Sequence, residues 1–449
     1  MTVRSELLVA DDDRPALIEA STGTVIAHAQ LRAAVDRRAD QLGADRPALA
    51  FLGASPTIDR VVDYLALTYL SSTVALLDPS TAAATLDAWI EAYAPEYVAG
   101  FEHVADRSVQ PGDHPDPADD AVLLPTSGST GSPKFVRLSA GIVLANASQI
   151  ATALQIDEHH RAMAHLPLFY SYGLSILNSH LVAGACSVLC DESAIRPEFW
   201  QAMTDHSVTS LPGVPYNFEM YRRMRLTTME LPALRDVTQA GGKLAPERIE
   251  EFRSAFEERG IRFWIMYGQT EATARISVLP HDRLAGRVGS VGQALPGGEL
   301  TIVDADAEGV GAVSYRGPNV MQGYAERRAD LAQGDQLGGV LDTGDLGRLD
   351  DEGNLWITGR AKRIAKVIGT RVSLDDLEAK LAVAGHPVAA VDDDDGVLVF
   401  VEGVDDTSGL PRSFERILGL PARSVRVRAV EQLPTTASGK IDYQRLRTS

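Results

Sequence analysis

The chain has little cysteine and a shortage of positive charge. It contains two cysteines in 449 residues, Cys186 and Cys190, and no third thiol completes a zinc-binding set. So few thiols are typical of a reducing compartment, and we expect both to be buried as small core residues. The 42 lysines and arginines against 61 aspartates and glutamates give a formal net charge of −19. This charge disfavours binding to nucleic acid or to an anionic membrane surface, because both would be repelled.

Long hydrophobic runs are also scarce, apart from one uncharged stretch. No Lys, Arg, Asp or Glu occurs between Arg161 and Asp191, a length that could cross a membrane. Pro167, Asn178 and several serines and histidines interrupt this stretch, so we expect it to be buried core. Acidic residues 11–13 come early, and no apolar segment of the signal-peptide type precedes them. We therefore expect a cytoplasmic protein that does not bind membranes.

The remaining patterns predict an α/β protein with more than one domain. A chain of 449 residues is too long for one compact core. Helical patterns such as residues 29–42 alternate with short apolar runs such as residues 73–77, which indicates βα units and a parallel sheet. After about Gly289 the pattern becomes β-rich, and a basic cluster at residues 360–366 opens a final mixed segment. We predict a large N-terminal domain of α/β subdomains with a β-rich portion, residues 1–360, and a small mobile α+β C-terminal domain, residues 361–449.

A glycine-rich segment from residue 126 to residue 134 is the first candidate site. It follows an apolar run with the pattern of a buried strand, and loops at strand ends often bind phosphate. Its glycines allow close backbone approach, while its amides, hydroxyls and lysine can contact phosphate oxygens. Pro133 and Phe135 flank the lysine, so the segment is not a Walker P-loop, and a flexible surface loop is the alternative. The candidate ATP-binding residues here are Thr126, Ser127, Gly128, Ser129, Thr130, Gly131 and Lys134.

Further motifs follow this segment in a fixed order. They are Gly241-Gly242-Lys243-Leu244, Tyr267-Gly268-Gln269-Thr270-Glu271, residues 316–324, Asp342-Thr343-Gly344-Asp345, residues 359–362 with 369–372, and residues 434–440. The whole series resembles the adenylate-forming superfamily, which contains acyl-CoA synthetases, nonribosomal adenylation domains and luciferases. The resemblance extends from about residue 121 to the end of the sequence.

The resemblance implies an enzyme that activates carboxylic acids with ATP. In this superfamily a carboxylate attacks the α-phosphate of ATP, which forms an acyl- or aryl-adenylate and releases pyrophosphate. A thiol then takes the acyl group as a thioester. The implied cofactors are ATP, Mg²⁺ and coenzyme A, and the implied substrate is a small carboxylic acid. Two alternatives stay open: a stand-alone adenylation enzyme that supplies an acyl or peptidyl carrier protein or a small nucleophile in a secondary-metabolite pathway, and a non-catalytic adenylate-binding protein.

The resemblance also implies catalytic roles for individual residues. Glu271 would bind Mg²⁺, and Thr270 would contact the α-phosphate. Lys440 would offset the repulsion between the carboxylate and the phosphate as they approach. Lys362 matches the hinge of the small domain, and Gly369 would leave room for a pantetheine arm. Without the neighbouring motifs, a carboxylate at the N-terminus of a helix would be the preferred interpretation of Glu271.

The same resemblance implies how the nucleoside is bound. Tyr267 would stack on adenine beside the Gly241-Gly242 pair, although a lone tyrosine is more often a core residue. Asp345 would accept hydrogen bonds from both ribose hydroxyls, and Arg360 would reinforce this contact. The ATP- or AMP-binding residues outside the glycine-rich segment are Gly241, Gly242, Lys243, Tyr267, Gly268, Gln269, Asp345 and Arg360.

The acyl pocket in this superfamily is lined by the regions that correspond to residues 167–173 and 213–215. Amino-acid-activating members usually carry an aspartate directly after the phenylalanine, whereas this chain has Tyr170, which disfavours an α-amino acid. Many CoA ligases have histidine there, so Tyr170 departs from that pattern too. Only about 125 residues precede the glycine-rich segment, fewer than expected for long CoA ligases. A smaller N-terminal subdomain would lack part of the surface that holds the CoA nucleotide, which leaves the identity of the acyl acceptor open. The predicted pocket residues are Phe169, Tyr170, Tyr172, Gly173, Val214 and Pro215.

Overall fold

The structure is a computed structural model. It describes residues 7–43, 48–108, 117, 119–125, 134–360, 363–367, 370–383, 387–393, 396–418, 420–435 and 441–448. The chain divides into two compact units. The first unit is formed within residues 1–299 and 315–341, and the second within residues 300–314 and 342–449.

Strands β1–β25 form the framework of both units. Most are short, and the central strand of each large sheet is buried along its whole length. In chain order they are β1 Pro15–Glu19, β2 Thr24–Ala27, β3 Leu49–Gly53, β4 Thr73–Leu77, β5 Tyr97–Ala99, β6 Arg107–Ser108, β7 Asp120–Pro125, β8 Phe135–Ser139, β9 Arg161–Ala164, β10 Cys186–Leu189, β11 Ser210–Gly213, β12 Asp236–Gln239, β13 Arg262–Tyr267, β14 Ser277–Leu279, β15 Gln293–Ala294, β16 Glu299–Val303, β17 Gly311–Arg316, β18 Gly323–Ala325, β19 Val340–Leu349, β20 Leu355–Arg360, β21 Ile364–Val367, β22 Thr370–Ser373, β23 Val388–Asp393, β24 Gly396–Glu402 and β25 Val425–Val430.

Helices connect these strands, most of them in the first unit. Two of the helix starts are capped by hydroxyls: Thr57 Oγ1 accepts from the Arg60 amide, and Ser139 Oγ accepts from the Ile142 amide. In chain order the helices are α1 His28–Leu42, α2 Ile58–Tyr69, α3 Ala83–Tyr93, α4 Ala140–Ala153, α5 Ser171–Val182, α6 Pro197–Asp205, α7 Pro215–Arg223, α8 Pro246–Glu257, α9 Leu374–Val383, α10 Leu410–Leu418 and α11 Tyr443–Thr448.

Two large sheets build the first unit. One has the strand order β15-β14-β13-β12-β11-β9-β10-β1-β2, and the other has the order β18-β8-β7-β4-β3-β5-β6. In the first sheet the strands from β13 through β12, β11, β9 and β10 to β1 are parallel, and antiparallel strands lie at both edges. Every residue of β3 and β4 is buried, as expected for parallel strands covered on both faces. The predicted α/β class is therefore confirmed.

The uncharged stretch predicted to be core lies inside the first unit. Helix α5 occupies its middle, and residues 171–181 of this helix are all buried. Cys186 and Cys190 are free thiols, each 3% exposed, so both are small core residues as predicted. In the part of the chain that the structure describes, no helix is long and apolar enough to cross a membrane.

The second unit is rich in strands. It contains the sheet of order β16-β17-β19-β20, the pair β21-β22 and the sheet of order β23-β24-β25 with helices α9 and α10. A hairpin joins β19 to β20, and its Asp350 carboxylate accepts hydrogen bonds from the amides of Glu352 and Asn354. The predicted domain boundary at residue 360 and the hinge near Lys362 stay predictions, since Lys362 lies outside the described residues.

Candidate active site

Tyr324 contacts two of the predicted site residues, Lys134 and Glu271, within the first unit. Its phenol Oη donates a hydrogen bond to Glu271 Oε1 at 2.9 Å. The Lys134 ammonium nitrogen lies 3.4 Å from the centroid of the same ring, which is a cation–π contact. Burial raises the pKa of Tyr324, so the phenol stays protonated and remains a donor. One tyrosine therefore links the lysine that ends the glycine-rich segment to the predicted Mg²⁺ ligand.

The strand pairing explains why Tyr324 meets Lys134. Lys134 directly precedes β8, and β18 pairs antiparallel with β8 so that Tyr324 lies opposite Val136. Sequence motifs almost two hundred residues apart thus become neighbours through one edge pairing. Tyr324 belongs to the motif at residues 316–324, but it was not among the site residues predicted from the sequence.

Glu271 and Thr270 lie beyond the carboxyl end of β13, the edge at which open parallel sheets bind ligands. Thr270–Ala272 form a single 3₁₀ turn. Thr270 Oγ1 lies 3.1 Å from Ser171 Oγ at the start of α5. The turn therefore places a hydroxyl and a carboxylate side by side at the end of the sheet.

Asn319 holds this turn in place from the motif at residues 316–324. Its side-chain amide is fully buried and donates to the carbonyl oxygens of Ala272 and Arg275, both at 2.8 Å. The Met321 amide donates to the Glu271 carbonyl at 2.9 Å. The sequence shows only the order of these two motifs along the chain. In the structure, the motif at residues 316–324 is hydrogen-bonded to main-chain groups of the segment that contains Glu271.

Gly241 and Tyr170 are in close contact, so the predicted adenine-side glycines adjoin the predicted acyl pocket. Gly241 has φ +82°, and a Cβ added to it would lie 2.6 Å from Tyr170 Oη and 2.9 Å from Val214 Cγ1. A Cβ on Gly242 would lie 3.1 Å from Pro215 Cγ. Burial raises the pKa of Tyr170 to about 12, so its phenol is neutral.

Tyr172 and Gly173 are the deeply buried members of the predicted acyl pocket. The Tyr172 side chain is 2% exposed, and its Oη lies 2.9 Å from Thr238 Oγ1. A Cβ on Gly173 would lie 2.1 Å from the Pro167 carbonyl oxygen, so the start of α5 packs directly on main chain there. Phe169 is partly buried against the core of the first unit.

Arg275 is a buried cation that sequence reasoning missed. Its side chain is 2% exposed, and the guanidinium carbon lies 3.9 Å from the centroid of the Tyr172 ring. Burial lowers the pKa of Arg275, with the tyrosines opposing this effect. The sequence did contain one indication of this burial. Arg275 is the only Lys, Arg, Asp or Glu between Glu271 and Asp282, so it stands alone in an uncharged segment.

The other predicted nucleotide-binding residues of the first unit lie near the same sheet edge. Tyr267 and Gln269 are partly buried, and Lys243 is exposed. A Cβ on Gly268 would lie 1.9 Å from the Ala274 carbonyl oxygen, so glycine is needed there for main-chain packing. Several predicted residues lie outside the described part of the chain: Thr126, Ser127, Gly128, Ser129, Thr130, Gly131, Lys362, Gly369 and Lys440.

The second unit contains the predicted ribose-binding pair. Asp345 and Arg360 lie opposite each other in the β19–β20 ladder. Arg360 Nε donates to Asp345 Oδ1 at 2.9 Å, while the side chains are 57% and 3% exposed, respectively. The carboxylate is therefore fixed by an arginine that itself reaches the surface of this unit.

Glu271 is the residue that could bind a divalent cation. It is partly buried, and its carboxylate keeps free lone pairs when Oε1 accepts from Tyr324. Over the residues that the structure describes, no group of three or more His, Cys, Asp and Glu side chains could hold a metal ion. Mg²⁺ commonly binds through one or two carboxylates together with phosphate oxygens and water. Glu271 fits this mode, in which the cation binds together with a phosphorylated substrate.

The fold and this site define an enzyme of the adenylate-forming class. Residues 94–325 match the family described as AMP-binding enzyme. The chain is 30% identical to an oxalate–CoA ligase of Arabidopsis thaliana, over 77% of this chain and 70% of the relative. It is 31% identical to a 2-succinylbenzoate–CoA ligase of Bacillus velezensis, over 61% of this chain and 55% of the relative. The chain belongs to the family of AMP-binding enzymes, which confirms the resemblance seen in its motifs.

A solved structure supports the same fold. It is the o-succinylbenzoate coenzyme A synthetase from Bacillus subtilis in complex with ATP and magnesium ion. The TM-score is 0.80 at 23% sequence identity, and the match covers 98% of both chains. The predicted fold class, with a large N-terminal and a small C-terminal domain, agrees with this likeness.

Proposed function

We propose that the chain activates a small carboxylic acid with ATP and transfers the acyl group to coenzyme A. It is an AMP-forming acid–thiol ligase. In the first half-reaction a carboxylate oxygen forms a bond to the α-phosphorus, the bond to the β-phosphate breaks, and pyrophosphate leaves. In the second, the coenzyme A sulfur bonds to the acyl carbon, AMP leaves, and the thiol proton is lost.

The observation that carries this proposal is the contact of Tyr324 with both Lys134 and Glu271. A departing pyrophosphate needs cationic neutralisation and a divalent metal on adjacent oxygens. Lys134 supplies a point charge, and Glu271 supplies a hard oxygen ligand for Mg²⁺. Bound there, Mg²⁺ would act as a Lewis acid on the phosphate oxygens. The phenol orients the carboxylate and is neutral, so it adds no charge to repel the phosphates.

The neighbouring residues suit the rest of the substrate. Thr270 offers a hydroxyl beside Glu271 for the α-phosphate, and Tyr267 offers a ring face for adenine. Tyr170, a neutral phenol beside Gly241, would meet the acid where the two reactants come together. For Asp345 of the second unit, whose Oδ1 accepts from Arg360 Nε, we keep the ribose-binding role that the resemblance implies. These roles are proposals that rest on the position of each side chain.

Coenzyme A is the proposed acceptor because the relatives named above are CoA ligases. The roles of Lys440 in adenylation, of Lys362 as a hinge and of Gly369 in thiol access stay predictions. Transfer to a carrier protein or to a small nucleophile is the remaining alternative for the acceptor. A cytoplasmic location also stays a prediction.

The direct test is pyrophosphate release from ATP across a panel of carboxylic acids, followed by addition of coenzyme A and mass measurement of the product. We expect acid-dependent pyrophosphate release and a product with the mass of the acyl-CoA thioester. Glu271→Gln should lower the release rate at least about 10-fold and raise the Mg²⁺ concentration needed for half-maximal rate. The matched control is Glu258→Gln, a change at an exposed position at the end of α8, which should leave the rate unchanged.

The outcomes separate the alternatives. Adenylate formation without a thioester would overturn the choice of coenzyme A and favour a carrier protein or a small nucleophile. ATP or AMP binding without pyrophosphate release for any acid would favour the non-catalytic adenylate-binding protein. Equal rates for Glu271→Gln and Glu258→Gln would contradict the metal-binding role of Glu271.

A further inference from the structure

Arg275 differs from the other deeply buried arginines of the first unit in lacking a carboxylate partner. Arg137 Nε lies 2.9 Å from Asp120 Oδ2, and Arg328 Nη2 lies 2.6 Å from Glu96 Oε1. Arg275 Nε instead donates to Met266 Sδ at 3.2 Å, and its Nη1 makes a long contact of 3.4 Å with the Ala274 carbonyl oxygen. Among the residues that the structure describes, no carboxylate lies within salt-bridge distance of Arg275.

A buried charge without a counter-charge is strongly unfavourable, because it has given up its hydration without an ionic partner. The Tyr172 ring stabilises the guanidinium through a cation–π contact at 3.9 Å, but this replaces only part of the lost hydration. The Nη2 group has no hydrogen-bond partner among the described residues. The arrangement leaves donor capacity on a desolvated cation, and an anion would use that capacity.

The location of Arg275 identifies which anion this is. Arg275 and Tyr172 line one cavity together with Thr238, Ser175 and Ile176. Arg275 is also close enough to Tyr170 for its positive charge to offset part of the rise in the pKa of that phenol. The Tyr170 phenol in turn contacts Gly241. The cation thus lies beside Tyr172 of the proposed acyl pocket, whereas Lys134 and Glu271 are the groups assigned to the phosphates.

We propose that Arg275 binds a second, non-reacting carboxylate of the substrate, so that the enzyme acts on dicarboxylic acids. This inference rests on the proposed function, because it assigns the substrate class of the same site. A guanidinium matches a carboxylate in charge and in planar geometry, and such pairs are strong where water is excluded. The same cation repels an ammonium group, which agrees with the neutral Tyr170 at the position where amino-acid-activating members carry aspartate.

The cavity beside Arg275 limits the length of the acid. Its volume is about 20 Å³, room for roughly one or two water-sized groups. The apolar side chains of Ile150, Leu154 and Ile156 are among the residues that line it. The second carboxylate should therefore end at Arg275, and the acid should be one in which nothing extends beyond that group.

The experiment compares matched acids on the intact enzyme. Unbranched dicarboxylic acids of increasing length and an aromatic dicarboxylic acid are each measured against their monomethyl esters and the corresponding monocarboxylic acids, using pyrophosphate release. For the preferred length, we expect kcat/KM to be at least about 30-fold higher for the diacid than for its monoester, mainly through KM. This comparison needs no variant, so it tests the proposal even if changes at Arg275 impair folding.

Variants then assign the preference to Arg275. Arg275→Met keeps the length of the side chain without its charge and should abolish the diacid preference, measured as the ratio of kcat/KM for the diacid to that for its monoester. Arg275→Lys should restore part of the preference, since it keeps the charge but loses the planar pair of donors. Arg196→Met, at a side chain 64% exposed, is the matched control and should behave as the unchanged enzyme.

Two results would overturn this proposal alone. Activity on monocarboxylic acids with no preference for any diacid would reject the second-carboxylate site and leave the proposed function intact. An unchanged diacid preference in Arg275→Met would reject the role of Arg275. Absence of pyrophosphate release for every acid would instead reject the proposed function, and this inference with it.

Discussion

Tyr324 donates its phenol hydrogen to Glu271 at 2.9 Å while its ring face contacts the ammonium group of Lys134. The two interactions use different parts of one side chain, the hydroxyl and the π system. They can therefore be removed separately. The relationship also explains why a tyrosine at the end of one motif matters to residues in two others.

Tyr324→Phe should remove only the hydrogen bond to Glu271. We expect the adenylation rate at limiting Mg²⁺ to fall about 5- to 10-fold, because the carboxylate loses one orienting donor. Tyr324→Leu should lower it by roughly a further 3-fold, because the cation–π contact with Lys134 is lost as well. Pyrophosphate release measured against Mg²⁺ concentration checks both values.

The control for this pair is Tyr216→Phe, since Tyr216 is 44% exposed on α7. It should match the unchanged enzyme. If Tyr324→Phe also matched it at every Mg²⁺ concentration, the phenol would have no part in orienting Glu271.

Gly241→Ala should combine backbone strain with a steric clash. The left-handed φ of +82° disfavours any L side chain, and the new methyl would press on Tyr170 Oη. We expect the free energy of unfolding to fall by about 2–3 kcal/mol, with a loss of activity on the acid. Denaturant unfolding and steady-state kinetics measure the two effects.

Gly260→Ala is the matched control for this prediction. Gly260 has φ +67°, but a Cβ added there meets nothing within 4 Å, so only the backbone strain of about 1 kcal/mol remains. Adding Tyr170→Phe to Gly241→Ala should recover part of the lost stability, since it removes the phenol oxygen. Equal losses for the two alanine variants would show that the contact with Tyr170 is not tight.

His180 should make the protein less stable in acid. It is buried on α5, and burial lowers its pKa from 6.5 to about 4. Between these two values the unfolded chain binds more protons than the folded chain, so the free energy of unfolding falls as pH falls from about 6.5 to about 4. We expect a loss of about 2 kcal/mol from this histidine between pH 7 and pH 5.

His180→Gln isolates this effect, because glutamine is polar and does not titrate in this range. The variant should lose less stability than the unchanged protein between the two pH values, as measured by denaturant unfolding. His165, whose pKa burial also lowers to about 4, is present in both proteins, so its contribution cancels. Identical pH dependence of the two proteins would contradict the buried, neutral state of His180.

Both cysteines should be inert in the folded enzyme. Burial raises the pKa of Cys186 to about 12 and that of Cys190 to about 11, so the reactive thiolate is scarce and shielded. We expect alkylation with iodoacetamide only after unfolding, with full retention of adenylation activity during treatment of the native protein. Rapid labelling of the native protein would show that the strand β10 region opens.

Much of the fold followed from local patterns. Strand β4 begins and ends where the sequence predicted, because its apolar run is bounded by turn residues. The uncharged stretch is buried, as predicted, and forms a helix and a strand. Its polar side chains can be buried because they form hydrogen bonds inside the protein, as Asn178 does with the Tyr64 hydroxyl.

The sequence motifs predicted individual residues of the site but not the contacts between them. The sequence singled out Glu271 and Lys134, but their connection through Tyr324 depends on the β8–β18 pairing, which brings together distant segments. Arg275 was missed because one arginine among apolar residues is usually placed at a strand end or on the surface. Its burial without a carboxylate is a tertiary property, set by how α5 and β13 pack around it.

The tight packing of Gly173 against the Pro167 and Leu166 carbonyl oxygens has a consequence for enzyme engineering. In a library that varies every residue of the acyl pocket, most members would carry a side chain at position 173. These members would fail to fold correctly, because any such side chain displaces main chain at the start of α5. A library that keeps this glycine and diversifies Tyr170 together with Arg275 would sample new acids on an unchanged scaffold.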